Sequence, residues 1–109
     1  MNQKDYIKGL IKLLDTDNNH INKKLKDIEG YFKTYIKEYF SGLITKYELI
    51  KCIEDHQEKI DHYLYERTCN IMKIEKLYRC RTIKSADKVF EKELDSEKVY
   101  DRMEGESIV

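Results

Sequence analysis

Residues 41–48 read SGLITKYE, a stretch that ends one helix and begins another. Gly42 can adopt the left-handed backbone conformation that closes a helix, and Leu43 can fold back on the last turn. Thr45 and Glu48 have the spacing of a capping box, which satisfies free amides at the start of a helix. Apolar periodicity extends from this stretch in both directions. The stretch therefore predicts the tip of an antiparallel helical hairpin.

Composition favours helices elsewhere in the chain as well. The 109 residues are 40% hydrophobic and 39% charged, which is typical of charged amphipathic helices. Proline is absent and only four glycines occur, so few tight turns are available for a β-sandwich or barrel. We therefore expect an all-α protein, built as a long coiled-coil-like hairpin with two shorter flanking helices in a small bundle.

The apolar spacing predicts four helices in a single domain, at about 3–14, 19–41, 46–80 and 86–104. Polar residues 15–19 interrupt the pattern and supply several N-caps between the first two helices. Ser85 is the expected cap of the fourth helix, and Ser96 could cap a new turn that divides it. The third helix carries an apolar stripe with polar members Gln57 and Arg67; its apolar members are Ile50, Ile53, Ile60, Leu64, Ile71, Ile74 and Tyr78.

The third predicted helix is longer than the second, so its last turns extend past its partner. The apolar residues expected there form a predicted protein interface of Ile71, Ile74, Leu77 and Tyr78. The first helix, the C-terminal segment or a second subunit could cover them. We expect both internal cover and self-association into a homodimer, because numerous tyrosines suit half-buried interfaces.

Residues 67–84 are locally basic, with Glu75 as the opposing acid. The candidate contacts to nucleic acid are Arg67, Lys73, Lys76, Arg79, Arg81 and Lys84. Together with Tyr65 and Tyr78 they could bind a phosphate backbone and stack on bases. The alternative is that the acidic C-terminal helix packs against this basic segment. The net charge of zero gives no general argument for nucleic acid.

Two segments resemble metal sites. Residues 15–19 look like the start of an EF-hand loop, but His20 replaces the required glycine and Lys26 the required glutamate. Glu58, His62 and Glu66 fall on one helical face, yet no matching motif occurs on another helix, which favours a solvated acidic face. His56 is interpreted as a packing histidine. The sequence therefore predicts no metal site, no cofactor and no catalytic residue.

Three cysteines, Cys52, Cys69 and Cys80, cannot all pair with one another, and Cys69 and Cys80 lie too far apart along one helix for a disulfide. No apolar run reaches the roughly 18 residues that span a bilayer. We therefore expect a cytoplasmic protein without a membrane partner. Abundant Lys, Ile and Tyr suggest an AT-rich genome, such as that of a low-GC bacterium, its phage or a plasmid.

These observations favour a non-enzymatic helical interaction or regulatory protein that binds a protein partner, for example a small phage or mobile-element modulator of host machinery. Nucleic-acid binding through residues 67–84 is the first alternative, and a metal-dependent enzyme is the second.

Overall fold

The computed structural model describes residues 2–106, which contain four α-helices and no strand. The helices are α1 (Gln3–Phe40), α2 (Lys46–Leu77), α3 (Ile83–Glu91) and α4 (Ser96–Glu106). The long helices α1 and α2 pack together. The predicted all-α class and the long helical hairpin are confirmed.

The chain reverses at Gly42 by the predicted mechanism. Gly42 has a φ of +78°, the left-handed conformation that costs glycine nothing. The Gly42 N–H donates to the Tyr39 carbonyl at 3.1 Å, and the Leu43 N–H donates to the Glu38 carbonyl at 2.9 Å. This pair of bonds is a Schellman motif. The Leu43 side chain is 76% exposed, however, so the last turn does not cover it as predicted.

The start of α2 carries half of the predicted capping box. The Glu48 backbone N–H donates to Thr45 Oγ1 at 3.1 Å, which satisfies one free amide. The Glu48 carboxylate accepts a bond from the Thr45 hydroxyl at 3.2 Å. Thr45 therefore fixes where α2 begins.

The predicted break at residues 15–19 is wrong, because α1 continues through it. Asn70 of α2 is buried, and its Nδ2 donates to Asp17 Oδ2 at 2.7 Å and to Asn18 Oδ1 at 2.9 Å. Leu14 and Ile21 are buried on either side of this segment. Residues with low helix propensity therefore remain helical because tertiary contacts hold them.

The predicted apolar stripe of α2 is partly wrong. Ile50 and Gln57 are exposed. The helix instead turns His56 toward α1, with its ring centroid 5.8 Å from that of Phe32 and 6.0 Å from that of Tyr35. His56 is half-buried, so its interpretation as a packing histidine is confirmed. His56 and Asn70 thus join the seam beside the members of the predicted line that stay half-buried, Ile53, Ile60, Leu64, Ile71 and Ile74.

The C-terminal region forms two helices where one was predicted over 86–104. Thr82, and not Ser85, caps α3, because Thr82 Oγ1 accepts from the Ser85 N–H at 3.1 Å. The predicted division near Ser96 is confirmed, although the capping oxygen belongs to Asp95, which accepts from the Glu97 N–H at 3.0 Å. The helix α2 ends at Leu77, three residues before its predicted limit.

The contacts divide the chain into two compact units. Among residues 2–106, the terminal unit holds those up to Asn19 and those from Leu64 onwards, and the hairpin unit is His20–Tyr63. The terminal unit has a hydrophobic core of Ile7, Leu10, Ile11, Leu14, Leu77 and Ala86. The buried hydrophobic residues of the hairpin unit are Ile21 and Ile28. The single-domain interpretation stays a prediction.

Candidate partner-binding groove

The candidate site is an open groove of about 420 Å³ on the terminal unit. Its apolar floor combines Ile7 and Ile11 of α1 with Tyr78 and Cys80 just beyond the end of α2, next to the fully buried Leu77. Every charged residue that lines it is positive: Lys4, Lys8 and Arg81. The groove therefore offers an apolar surface with cationic edges. We call it the basic groove.

Helical spacing produces this arrangement on the α1 side. Ile7 and Ile11 lie four residues apart and so share one face, as do Lys4 and Lys8 on the adjoining line of the helix. The isoleucines are buried, while both lysines are exposed. The long lysine side chains can thus flank apolar surface and keep their charges in water.

The short helix α3 is held against the start of α1. The Gln3 Oε1 accepts from the Ile83 N–H at 3.0 Å, and the Tyr6 hydroxyl donates to Asp87 Oδ1. The hydrogen bond to Asp87, together with some burial, raises the pKa of Tyr6. These contacts fix the part of α1 that contributes Lys4, Ile7 and Lys8.

The predicted interface residues differ in how far they are exposed. Leu77 is completely buried in the core of the terminal unit and presents no surface. The reason is that the first turns of α1 cover the end of α2, which confirms the expected internal cover. Ile71 and Ile74 are half-buried, and Ile74 packs against the core. Tyr78 is 72% exposed and lines the basic groove.

The predicted basic contacts differ in exposure and in partners. Lys73 Nζ donates to the Phe90 carbonyl at 2.8 Å, so this cation helps to hold α3. Arg67 is half-buried. The exposed members of the set are Lys76, Arg79, Arg81 and Lys84, and Arg81 lines the basic groove.

The sequence offered an acidic C-terminal helix packed against the basic segment as an alternative. In the ion pair that joins α4 to α2, the two charges have the opposite placement. The cation comes from α4, where the Arg102 guanidinium binds both Glu75 oxygens at 2.5 and 3.2 Å. This hydrogen-bonded pair holds the pKa of Glu75 below its ordinary value. A further contact between α2 and α4 pairs the Tyr65 and Tyr100 rings, with centroids 5.2 Å apart.

A second cleft of about 500 Å³ lies beside Tyr65 and Met72. Its charged lining combines lysines with Glu93 and Asp95. These opposite charges offset one another, so the cleft selects for neither sign. The basic groove is the more distinctive surface of the terminal unit.

Cysteines and acidic clusters add no catalytic geometry to the groove. Cys52, Cys69 and Cys80 are free thiols, and burial raises the pKa of Cys69, which makes its thiolate less available. Within residues 2–106, no three His, Cys, Asp or Glu side chains are gathered as metal ligands, and this includes Glu58, His62 and Glu66, which share one helical face.

Sequence reasoning placed Tyr78 and Arg81 among candidate contacts but missed Lys4, Lys8, Ile7 and Ile11 as site residues. The signal was present in the two interleaved four-residue spacings near the N-terminus. Predicting a separate first helix hid it, because that helix was treated only as cover.

No helix in the described range combines the length and hydrophobicity needed to span a membrane. Comparisons with protein-family models, curated proteins and solved structures find no match to this chain.

Proposed function

We propose that the protein is a non-enzymatic regulatory protein that binds an acidic amphipathic helix of a partner protein in the basic groove. The observation that supports this function is the apolar floor flanked by Lys4, Lys8 and Arg81 without an opposing carboxylate. An amphipathic helix can bury its apolar face on such a floor. Acidic residues beside that face then meet the lysine and arginine side chains.

Self-association into a homodimer is the second part of the proposal. It is supported by large apolar side chains that stay exposed, among them Phe40 and Tyr47 of the hairpin unit. Contiguous exposed apolar surface of this kind is typical of interaction sites.

A pair of synthetic peptides tests the groove. Each has about 18 residues and a leucine stripe at helical spacing, with glutamates on the polar face of one and lysines on that of the other. Fluorescence anisotropy with the full chain is expected to show binding of the acidic peptide only. Equal binding of both peptides, or of neither, would contradict the proposal.

Charge reversal locates the binding. Lys8→Glu is expected to weaken binding of the acidic peptide at least about tenfold, or about 1.4 kcal/mol. Lys12→Glu is the matched control, because Lys12 is exposed on the same helix but does not line the groove. Similar losses from both variants would show nonspecific attraction.

Nucleic acid is the competing outcome of the same experiment. If a single-stranded or duplex oligonucleotide binds with steep salt dependence, and Lys76→Glu and Arg79→Glu weaken it, nucleic-acid binding replaces the proposed function. Neither residue lines the basic groove, so these variants separate the two functions.

A further inference from the structure

The hairpin unit exposes five large apolar side chains near its tip. Phe40, Leu43 and Tyr47 are 81%, 76% and 73% exposed, and Ile36 and Ile50 are more than 40% exposed. We call these five residues the tip patch. Two come from α1, two from α2 and one from the connecting turn.

The four helical members of the tip patch lie on one side of the hairpin. The opposite side is identified by a shallow groove that Lys24 and Tyr31 of α1 line together with Lys59 of α2. In a seven-residue repeat around the seam, Ile36 and Phe40 fall on the other flank of α1. Tyr47 and Ile50 fall on the corresponding flank of α2. The patch is therefore one surface.

Two exposed rows of charge run along the same side, away from the patch. Lys26, Lys33 and Phe40 are spaced by seven residues on α1, so they follow one line of that helix. Tyr47, Glu54 and Asp61 have the same spacing on α2. The α1 row is thus basic and the α2 row acidic, and each ends in an aromatic ring of the tip patch.

Contacts between α1 and α2 show which residues of the two rows lie side by side along the hairpin. Lys24 Nζ lies 5.4 Å from the Tyr63 ring centroid, and the Tyr31 and His56 ring centroids lie 5.9 Å apart. Moving two residues toward the tip from each pair places Lys26 level with Asp61, and Lys33 level with Glu54. Another two turns place Phe40 level with Tyr47.

We propose that a second copy of this chain binds the tip patch, with a two-fold axis parallel to the hairpin. This rotation lays the α1 row of each copy on the α2 row of the other at the same level. Phe40 then meets Tyr47 of the second copy, Lys33 meets its Glu54, and Lys26 meets its Asp61.

The opposite orientation, with the two tips at opposite ends, is disfavoured by charge. It lays α1 on α1, so that lysine rows meet each other, and acidic rows likewise. In the free chain Lys33 pairs with Glu29 at 3.4 Å, but both side chains are largely exposed, so this pair is weak and can exchange. Self-complementarity of the rows therefore selects one dimer.

This inference deepens the self-association part of the proposed function and does not depend on the basic groove. Sedimentation equilibrium of the full chain, over about 5 to 200 µM, is expected to show a monomer–dimer equilibrium. The variant Phe40→Ser/Tyr47→Ser should weaken dimerisation at least about tenfold. A wild-type monomer throughout this range, or a dimer unaffected by that variant, overturns the proposal.

Charge exchange provides a second, independent test. Lys33→Glu and Glu54→Lys should each weaken the dimer several-fold, and the double variant should recover the wild-type affinity because the charges are exchanged in both contacts. Asp55→Lys is the matched control, since this neighbouring exposed acid lies on the other flank of α2. Failure of the double variant to recover affinity, with circular dichroism showing intact helices, overturns the proposed register.

The two proposals fail separately. A monomeric Phe40→Ser/Tyr47→Ser variant that still binds the acidic peptide supports independent surfaces. Wild-type protein that dimerises as described but does not bind the peptide loses the groove function and keeps this interface.

Discussion

Asn70 shows how one polar residue can determine both the course and the register of a helix. It is buried and donates to Asp17 and Asn18, which lie within the segment expected to be a loop. A polar pair in a seam has few satisfactory alternatives, so it favours one alignment of the helices. The same contacts keep Asp17 and Asn18 in α1.

Replacing Asn70 should destabilise the terminal unit. Asn70→Ala removes two hydrogen bonds and leaves a small gap, so we expect the free energy of unfolding to fall by about 1–2 kcal/mol. Asn18→Ala should cost less, because Asp17 still accepts from Asn70. Urea denaturation followed by circular dichroism measures both changes, and a larger loss from Asn18→Ala would contradict this account.

Glu75 gives the stability of the terminal unit a defined pH dependence. Its pKa is lowered by Arg102, so the pair stabilises the fold above the ordinary Glu value of 4.5. This stabilisation is lost as pH falls through the lower pKa of the folded state. Both side chains are more than a third exposed, which limits the contribution to about 1 kcal/mol or less.

Thermal unfolding across pH tests this pair. Glu75→Gln should lower Tm at pH 7, and the difference from wild type should shrink below pH 4.5 as Glu75 becomes protonated. Glu93→Gln is the control, since Glu93 is exposed in the link between α3 and α4. A Tm difference that persists unchanged in acid would show that Glu75 acts through packing.

Replacing Gly42, in the turn, and Gly30, inside α1, should change the stability of the protein in opposite directions. Gly42 has a positive φ, so Gly42→Ala should cost about 1–2 kcal/mol at the turn. Gly30 lies inside α1 and an added Cβ would meet nothing within 4 Å, so Gly30→Ala should stabilise by about 0.5–1 kcal/mol. Chemical denaturation compares them, and a stabilising Gly42→Ala would refute the assigned turn.

At the level of elements, the local signals at Gly42 and Thr45 were interpreted correctly from the sequence. Gly42 and Thr45 act through hydrogen bonds to residues three to five positions away, so their roles are visible in a short stretch. The break at 15–19 was wrong because Asn70, more than fifty residues away, compensates the poor helix propensity. Leu14, Ile21 and Ile28 did preserve a seven-residue spacing across that segment.

The side chains that α2 turns toward α1 explain why the tip patch was not predicted. Choosing the most apolar stripe placed Ile50 in the seam, whereas His56 and Asn70 face α1. Ile50 is instead exposed in the tip patch. The aromatic rings around His56 offset its polarity, and no periodicity in one helix reveals them.

Across the whole molecule, zero net charge conceals surfaces of distinct character. The charged residues that line the basic groove are all cations, while one flank of the hairpin carries Lys26 and Lys33 on α1 and Glu54 and Asp61 on α2. The net charge gave no general argument for nucleic acid, and it could not reveal this local separation either. The proposed partners follow from where charges lie beside apolar surface.

The two units should differ in local stability, because buried apolar residues are concentrated in the terminal unit. Amide hydrogen exchange should therefore be slower at 7–14 and 70–77 than at 30–40 and 46–56 in dilute protein. If the tip patch binds a second copy, protection at 30–40 and 46–56 should rise with protein concentration. The Phe40→Ser/Tyr47→Ser variant should lose this dependence, since mass action can stabilise only the residues that dimerisation couples. Uniform protection at all concentrations would contradict both the unequal stability and the proposed dimer.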